Sequence, residues 1–515
     1  MKKTIFLFLL NCLFLIVQST EYYVNSVAGN DANAGTSINT PWKSLNPVHA
    51  KKFLPGDIIN FACGSSWTKA GWESVLLIDD SGTAEKPIIF RSYGEGEMPF
   101  FSNAGQWNKG IKITADYVIV ENLMVKNTGH ACINIASGAD YNIIRNCEFT
   151  ISGIGVHIQG SYNLLTKNYI HNMIMVVNDP KSVNPDNDFG ALAFMLDDGH
   201  YNEISYNKAI KCRAPSYDYG HDGGFVETWT SAGNNYIHHN WVEDTEGFME
   251  AGGNNSSQLV NDNLIAYNVA YNTTGFTCLH TGGGGFDVTV RNLRIENNTI
   301  ISTTDAYRVI GCIGSSAPGN VFSLKNNIIY SPVKVSDFSN FTHTNNIYYL
   351  TGGATVGFPL HNTEKIANPQ FIDRAAKDLR LKEGSPAIDT GADLKYSADF
   401  EGKTVPSGTA PDIGAYEYQH PTTGSLIFPK NSAGSFNVYH NPSGEFVNLV
   451  FNAKQGQQLL FEIFNATGKP VIKQLVIAGN DGANSIQVAM ITKPGIYFAR
   501  LFGESDCEAR KIIIL

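Results

Sequence analysis

A short pattern of apolar and polar positions recurs through the middle of the chain. It reads x-Ile/Leu-x-x-Asn-x-Ile/Val, and its Asn falls at Asn146, Asn168, Asn207, Asn240, Asn268, Asn298, Asn327 and Asn346. Successive Asn residues are 22, 39, 33, 28, 30, 29 and 19 positions apart, with no helix-length 3.6-residue periodicity between them. Repeats of this length with short strands predict an all-β fold, a right-handed parallel β-helix solenoid.

The Asn positions themselves have a mechanical explanation. Asn tolerates the left-handed backbone conformation of tight turns, and stacked side-chain amides can hydrogen bond from coil to coil. We therefore expect Asn240, Asn268, Asn298 and Asn327 to form one stacked column. The longest step, between Asn168 and Asn207, predicts an excursion over 176–189 that forms one wall of a cleft.

The chain divides into segments of different character. Residues 1–20 carry two lysines followed by an apolar run, which predicts a cleaved secretory leader. Residues 21–418 hold the repeats and the predicted catalytic domain. Residues 419–435 are rich in Pro, Thr, Gly and Ser, which predicts a linker, and 436–515 alternate like a small antiparallel β-sandwich.

Composition and charge narrow the possible partners. Hydrophobic residues make up 43% of the chain and charged residues 16%, which is typical of a folded globular protein. The net charge is -10, or -12 without the two lysines of the leader, so nucleic acid is not an expected partner. No segment after the leader is apolar enough to span a membrane. We also expect the protein to be a monomer.

The cysteines predict neither a disulfide framework nor a zinc site. Seven remain after the leader, an odd number, and none is in CxxC spacing. We therefore expect no metal and no cofactor in the resting protein.

The last 80 residues contain motifs with a known resemblance. VYHNPS at 438–443, ATGKPV, KPGIYFARL and the closing ARKIIIL resemble the C-terminal sorting domain of type IX secretion in Bacteroidetes. His440 stands where that pattern usually has Pro. The resemblance implies that type IX secretion machinery is a partner and that the protein is secreted or held at the cell surface.

Candidate chemistry lies in the stretches that follow the repeated Asn. Aligned by their glycine ends, GIGVHIQG, ALAFMLDDG, GGFVETWTSAG, GFMEAGG, GFTCLHTGG and RVIGCIG predict successive strands of one sheet. The aligned charged residues are Asp197, Asp198, Glu227, Glu250, His280 and Arg308. Like charges on neighbouring parallel strands about 4.8 Å apart repel, so a functional use is expected.

Two reactions suit such acids. In glycoside hydrolysis one carboxylic acid protonates the leaving oxygen while a carboxylate attacks or activates water. We predict Glu227 and Glu250 as this pair, with Asp222 and Asp197 as alternatives. Substrate binding is assigned to Arg213, His221, Trp229, His280 and Arg308. In β-elimination, carboxylates would instead hold Ca²⁺ and Lys208, Lys211 or Arg213 would remove a proton.

The whole arrangement resembles secreted β-helix carbohydrate-active enzymes of Bacteroidetes, which include glycoside hydrolases and polysaccharide lyases. HDGGFVETW is similar to the Asp-Gly-Gly strand starts of several such hydrolases, whereas the polygalacturonase motif set is absent. The resemblance implies a hydrolase for a complex polysaccharide, with anionic and sulfated chains among the candidates. The alternatives are a Ca²⁺-assisted lyase and a non-catalytic protein that binds carbohydrate through tryptophans expected to be exposed, Trp67, Trp72, Trp107, Trp229 and Trp241.

Overall fold

The computed structural model describes residues 19–419 and five ranges of the C-terminal part. Residues 72, 181, 184–186, 283–285 and 315–320 lie outside the description, and the later ranges are 436–440, 446–465, 469–489, 495–502 and 507–514. The chain divides into two compact units, Met1–Gln419 and His420–Leu515. Most of the predicted leader and nearly all of the predicted linker lie outside the described residues.

The first unit is a right-handed parallel β-helix, which confirms the predicted fold class. In one coil, Glu203–Ser205, Lys208–Ile210 and Gly224–Trp229 follow one another, and Tyr236–His238 begins the next coil. Strands stack in parallel register, as Glu203 does on Tyr236, so each coil continues the sheets of the coil before it. Apolar side chains from the faces fill one continuous core along the helix.

The first face is a twelve-stranded parallel sheet. Its strands, in stacking order, are Glu21–Val24, Ile58–Ala62, Ile88–Tyr93, Val118–Glu121, Ile143–Arg145, Leu164–Thr166, Glu203–Ser205, Tyr236–His238, Leu264–Ala266, Leu293–Glu296, Phe322–Lys325 and Thr342–Thr344.

The second and third faces share two long strands, Met124–Ile135 and Glu148–Ile158, which continue around the corner between them. The remaining strands of the second face are Ser66–Thr68, Phe100–Ser102, Tyr169–His171, Lys208–Ile210, Trp241–Glu243, Val269–Thr273, Thr299–Ser302, Ile328–Ser331, Ile347–Leu350 and Lys365–Ile366. Those of the third face are Leu76–Ile78, Ile111–Ile113, Leu192–Asp197, Gly224–Trp229, Met249–Gly252, Thr277–Gly282 and Ile310–Gly314.

Buried Asn side chains connect the coils at the corner between the first and second faces. Asn240 Oδ1 accepts from the backbone N–H of Asn207 at 2.9 Å, and Asn240 Nδ2 donates to Asn268 Oδ1 at 2.9 Å. The same contacts continue through Asn298 and Asn327, so the predicted stacked column is confirmed. We call this column the Asn ladder; its members are Asn168, Asn207, Asn240, Asn268, Asn298, Asn327 and Asn346.

The prediction was wrong about two details of this corner. Asn146 is not a member of the ladder, because Cys147 holds the equivalent position and donates its backbone N–H to Asn168 Oδ1 at 3.0 Å. The left-handed residue is also not the ladder Asn but the one before it, such as His239 with a φ of 55°. The backbone reverses at that earlier residue, which leaves the following Asn free to direct its amide towards the next coil.

Two excursions leave the coils beside the third face. The first pairs Met175–Val177 with Phe189–Gly190 in antiparallel fashion, within the stretch where the sequence predicted a wall. The second is a hairpin of Ala214–Ser216 and Gly220–Asp222 that leads directly into Gly224–Trp229.

The other elements of the first unit are short. They are the helix Asn46–Ala50, a three-stranded sheet of Ala232–Gly233, Leu259–Asn261 and Thr289–Arg291, and an antiparallel pair of Phe371–Asp373 and Asp378–Leu381. Within the described ranges, no helix has the length and apolar character that a membrane span requires.

The second unit contains seven described strands in two antiparallel sheets. One sheet holds Phe436–His440, Phe446–Ala453 and Gly482–Ala489; the other holds Gln458–Asn465, Pro470–Ile477, Gly495–Phe502 and Cys507–Ile514. Alternate side chains such as Phe451, Phe461 and Ala499 are buried in a core of their own. This is the antiparallel β-sandwich that the alternating pattern predicts.

Candidate active site

The candidate site lies on the outer surface of the third face. In Gly224–Trp229 the side chains alternate: Val226 and Thr228 are buried, whereas Glu227 and Trp229 are partly exposed. The sharp bend before this strand requires glycine. Gly223 has a φ of 125°, and a Cβ there would lie 2.7 Å from the Ala191 carbonyl oxygen. Gly223 of the HDGGFVETW motif therefore sets the direction of the strand that carries Glu227.

The parallel register stacks a row of side chains across this face. His157 pairs with Met195, Met195 with Glu227, Glu227 with Glu250, and Glu250 with Cys278. We call this sequence of positions the acid row. The structure thus pairs Glu227 directly with Glu250 on the neighbouring strand, as the alignment of glycine ends predicts.

Asp197 lies beside the row and is held by three side chains. Its Oδ2 lies 3.2 Å from His157 Nε2 and accepts from Gln159 Nε2 at 3.1 Å, while its Oδ1 accepts from Thr230 Oγ1 at 3.0 Å. Burial opposes the ionisation of Asp197, but the hydrogen bonds from His157 and the other two donors outweigh it and lower the pKa of this carboxyl. Asp197 is therefore a fixed negative charge.

Glu250 is held from the opposite side. His280 Nε2 lies 2.8 Å from Glu250 Oε1, and Cys278 Sγ lies 4.0 Å from the same nitrogen. The ligating atoms of Glu250, Cys278 and His280 all lie within 4.8 Å of one another, a carboxylate, thiol and imidazole set that suits a divalent transition metal. The sequence predicts no metal, and that expectation stays a prediction.

Asp222 approaches the acid row from the second excursion. It pairs with Ala214 across the hairpin, while its neighbour His221 is exposed, because successive residues of a strand point to opposite sides. Burial raises the pKa of Asp222 to about 7, and the charges of Glu250, Glu246 and Asp188 add to the shift. The exposed position of His221 leaves its predicted role in substrate binding without a supporting contact in the site.

The surroundings of Glu227 shift the pKa of its carboxyl upwards. Burial raises the pKa of Glu227 well above its ordinary value, and the charges of Glu250, Asp222 and Asp197 raise it further. A carboxyl with this environment keeps its proton at a pH where ordinary glutamates have lost theirs. The structure thus brings Asp197, Asp222, Glu227 and Glu250 together, and the environments of Asp197 and Glu227 shift their pKa values in opposite directions.

The two predicted arginines have charged partners. Arg213 lies 2.5 Å from Glu246 Oε2 and 2.8 Å from Asp305 Oδ2. Arg308 forms an ion pair with Asp337 and lies 4.0 Å from the ring centroid of Tyr307. Both charges are therefore compensated within the protein, and a substrate anion would have to compete for them.

Two candidate bases of a lyase and one aligned acid, Asp198, lie away from the acid row. Lys208 starts a strand of the second face and is exposed, 5.9 Å from the ring centroid of Tyr169. Lys211 follows the same strand in a left-handed corner and is also exposed. Asp198 lies in the next corner of the third face, exposed, with His200 Nε2 at 3.7 Å. None of these three belongs to the acid row.

Aromatic side chains flank the row at both ends. Trp107 is 44% exposed and packs near His130 and Phe189, beside a cavity of about 230 Å³ that includes Ile174 and Val176. At the other end, the ring centroids of Trp229 and Phe286 are 5.3 Å apart. Flat, partly exposed rings of this kind offer stacking faces for sugars.

The other tryptophans predicted to bind carbohydrate differ in what surrounds them. Trp67 is 7% exposed and packs between Phe61 and Phe101, so the prediction that it is exposed was wrong. Its strand turns it into the core. Trp241 stacks on Tyr271, and Trp72 lies outside the described residues.

Sequence reasoning missed several residues of the site. Gln159 and Thr230 bind Asp197, and Cys278 lies next to Glu250 in the row, yet neither the Asn spacing nor charge singles them out. The strand periodicity could have identified Gln159, because it follows His157 by two residues and therefore points to the same face of the sheet.

Two family models match parts of the chain. Residues 109–300 match the right handed beta helix region, and residues 437–515 match the secretion system C-terminal sorting domain. The second match confirms the predicted sorting domain, so the protein is secreted or attached to the cell surface. The leader and the Bacteroidetes origin stay predictions.

Known proteins with similar sequence or fold include carbohydrate-active enzymes. A lacto-N-biosidase of Bifidobacterium longum subsp. longum is 36% identical over 134 residues, which cover 21% of this chain and 8% of that protein. The pectate lyase Pel9A superimposes with a TM-score of 0.56 at 19% identity, over 78% of this chain and 97% of that one. A GH136 lacto-N-biosidase from Eubacterium ramulus gives a TM-score of 0.45 at 16% identity, over 64% and 68%.

These likenesses carry different weight. The pectate lyase shows the shared fold, and the chain spans only a small part of the bifidobacterial enzyme, so neither transfers an activity. The protein is a secreted or cell-surface right-handed parallel β-helix protein, similar to carbohydrate-active enzymes of that fold, with a C-terminal secretion sorting domain.

Proposed function

We propose that the β-helix is a glycoside hydrolase in which Glu227 donates the proton and Glu250 is the partner carboxylate. The observation that carries the proposal is the direct pairing of the two acids on neighbouring strands of an exposed face. Two carboxyls in this position destabilise the fold through repulsion, and a reaction that needs one protonated and one ionised acid makes use of that repulsion.

Glu227 suits the role of general acid. Its pKa is raised by burial and by the surrounding carboxylates, so Glu227 keeps its proton to a higher pH than an ordinary glutamate does and can pass that proton to the leaving glycosidic oxygen. Asp197 supports this role, because its three hydrogen bonds keep a negative charge beside Glu227. With both oxygens engaged, Asp197 is better suited to fixing that charge than to attacking the sugar.

Glu250 suits the role of partner. His280 Nε2 lies 2.8 Å from one carboxylate oxygen of Glu250 and would hold the group in place while the other oxygen attacks the sugar. In the first step Glu250 would bond to the anomeric carbon while the glycosidic C–O bond breaks and Glu227 protonates the leaving oxygen. In the second step water would replace Glu250 at that carbon and return a proton to Glu227.

The pairing favours retention of configuration. Neighbouring strands lie about 4.8 Å apart, close to the roughly 5 to 5.5 Å between carboxyls of retaining enzymes. An inverting reaction would instead use Asp197 and Glu250, which are two strands apart. The anomer formed first, read by proton NMR, distinguishes these two reactions.

Hydrolysis is better supported than elimination. The predicted elimination uses Lys208, Lys211 or Arg213 as its base, yet the two lysines lie off the acid row and Arg213 is held by Glu246 and Asp305. The 36% identical segment of a lacto-N-biosidase also supports a hydrolase. It makes glycans that contain lacto-N-biose worth testing beside the complex polysaccharides that the sequence predicts.

Two lysines lie beyond the His157 end of the acid row, which bears on the charge of the substrate. Lys112 pairs with Asn134, which pairs with His157, so Lys112 lies on the same face four strands from Glu227, roughly 19 Å away. Lys109 is nearby, since its charge lowers the pKa of His130, although burial is the larger cause of that shift. An anionic sugar of the substrate would bind at this end, several units from the cleaved bond.

The proposal is tested by product chemistry. The purified protein is incubated with plant, algal and lacto-N-biose-containing glycans, and both reducing ends and ultraviolet absorbance of unsaturated products are measured. We expect new reducing ends without unsaturated products. Unsaturated products would establish the lyase instead, and binding to a glycan without any cleavage would support the non-catalytic alternative.

Variants then test the two acids. Glu227→Gln and Glu250→Gln keep the side-chain shape but remove proton transfer and attack, so each should lower turnover at least about 10²-fold. Azide should restore activity to a Glu250→Ala variant, because the shortened side chain leaves room for azide to replace the missing nucleophile. The matched control is Glu95→Gln, an exposed glutamate far from the row, which should keep full activity. Wild-type rates in both acid variants would rule out this pair.

A further inference from the structure

A second group of acidic and amide side chains lies where the two excursions meet. Asp218 Oδ2 accepts from the backbone N–H groups of Asn187 at 2.9 Å and Asp188 at 3.4 Å. Asp188 Oδ2 accepts in return from the backbone N–H of Asp218 at 3.0 Å and from the Ser216 hydroxyl. These reciprocal contacts bring the two carboxylates together across the excursions.

Three oxygen atoms of this group are buried without a hydrogen-bond partner. They are Oδ1 of Asp188, Oδ1 of Asp218 and Oδ1 of Asn187. Asp218 is only 6% exposed, and its other oxygen binds the Asn187–Asp188 backbone, so the carboxylate is directed at the segment that carries the other two atoms. Asn187 Nδ2 donates to Asp179 at 2.8 Å. This hydrogen bond identifies the nitrogen of the amide, so the atom without a partner is its oxygen.

The group lacks a compensating charge among the residues that the structure describes. No Lys, Arg or His there lies within ion-pair distance of Asp188 or Asp218. Two neighbouring carboxylates with unpaired buried oxygens are costly, since both desolvation and mutual repulsion act against them. A bound cation would remove both penalties.

We propose that Asn187, Asp188 and Asp218 form a Ca²⁺ site that joins the two excursions. All three free atoms are oxygens, two of them carboxylate, which is the ligand chemistry that Ca²⁺ prefers over softer metals. Ca²⁺ tolerates irregular geometry with six to eight oxygens, so backbone carbonyls and water would complete its shell. Mg²⁺ requires near-octahedral geometry, which this loop-built group does not impose.

The site would support the wall of the candidate active site without taking part in its chemistry. Asp188 directly precedes Phe189, which packs near Trp107, and Asp218 lies in the turn of the hairpin that ends at Asp222. A cation there would hold both excursions in place beside the acid row. The inference goes beyond the proposed hydrolase and does not depend on it, because binding is measured without any substrate.

The first test is direct titration of the full chain after treatment with chelator. Isothermal titration with CaCl₂ should show one site per chain, and MgCl₂ should bind at least about 10-fold more weakly. Ca²⁺ should also raise the Tm by at least about 2 °C relative to EDTA. Absence of Ca²⁺ binding at millimolar concentration, or equal binding of both ions, would overturn the assignment.

Variants separate this site from other carboxylates. Asp218→Asn should weaken Ca²⁺ binding at least about 10-fold, whereas Asp79→Asn, the same change at an exposed position, should leave it unchanged. Asn187→Asp adds a third carboxylate, so it should lower the Tm in EDTA and strengthen Ca²⁺ binding. A gain of this kind cannot come from misfolding. If Asn187→Asp left Ca²⁺ affinity unchanged, the site would lie elsewhere.

Discussion

The Asn ladder and the acid row both repeat a polar side chain from coil to coil, yet their consequences are opposite. In the ladder, each amide has a donor and an acceptor, so Asn240 satisfies Asn207 and is in turn satisfied by Asn268. In the acid row, Glu227 and Glu250 can only accept hydrogen bonds when ionised, so direct pairing brings repulsion. The same stacking geometry stabilises one column and perturbs the pKa of the other.

The comparison indicates which of the two columns is suited to catalysis. A neutral, fully satisfied ladder has no proton to give, whereas the row contains a carboxyl whose pKa is raised well above its ordinary value. Repulsion between the acids destabilises the fold, and other interactions must offset it. The hydrogen bonds of Asp197 and Glu250 to neighbouring side chains are such interactions. We therefore expect substitutions in the two columns to change stability in opposite directions.

The largest effect should come from the ladder. Asn240→Ala removes amide hydrogen bonds to Asn207, Asn268 and the Ile204 carbonyl, all of them buried. Leaving those groups without partners should lower the free energy of unfolding by about 3 kcal/mol or more. Chemical denaturation measures this change. Asn39→Ala, at an exposed position, should change stability by no more than about 0.5 kcal/mol, and an equal loss in both would deny the ladder its special role.

The second effect has the opposite sign and depends on pH. Because the pKa of Glu227 is raised in the folded state, the folded protein binds more protons than the unfolded one, and stability falls as pH rises from the unfolded pKa towards the folded pKa. Glu227→Gln removes that loss. At about pH 7 it should raise the free energy of unfolding by about 1 to 3 kcal/mol, and at about pH 4 the gain should vanish.

Denaturation of the two proteins across this pH range measures the difference. Glu95→Gln provides the control, since it alters an exposed carboxyl outside the row and should leave the profile unchanged. A Glu227→Gln variant that is less stable than wild type at neutral pH would show that repulsion is not the dominant interaction in the row.

A smaller effect should follow from loss of the group that holds Glu250. His280→Gln removes the imidazole 2.8 Å from Glu250 and should lower kcat about 10-fold with little change in KM, since Glu250 stays in place but is less well oriented. His361→Gln is the matched control at an exposed position. An effect on KM alone would reassign His280 to substrate binding.

The smallest effect concerns Lys112, which lies on the third face beyond the His157 end of the acid row. Lys112→Met should raise KM about 3- to 10-fold for an anionic glycan and leave a neutral one unchanged, because the charge lies far from the cleaved bond. Lys382→Met, at an exposed position near the end of the first unit, should change neither. Equal effects on both substrates would mean that Lys112 contributes packing rather than charge.

Much of the fold could be predicted because the solenoid repeats itself locally. A ladder Asn and an apolar residue three positions earlier lie in one coil, so their spacing directly shows where the corner is, and the coil order follows the chain order. The same logic placed Glu227 beside Glu250. It failed at Asn146, where the repeat slips by one residue and Cys147 occupies the ladder position, because the letter pattern does not reveal register.

The sequence by itself therefore determined the coil, the sorting domain and the pairing of the central acids, since each depends on neighbours at fixed distances along the chain. Only the tertiary structure decided what the insertions do. The contacts of Asp218 with Asn187 and Asp188, the ion pairs of Arg213, and the burial of Trp67 depend on segments that meet in space. The repeat spacing does not predict these contacts. An excursion that leaves the coil no longer follows the parallel register of the strands, so only packing determines its position.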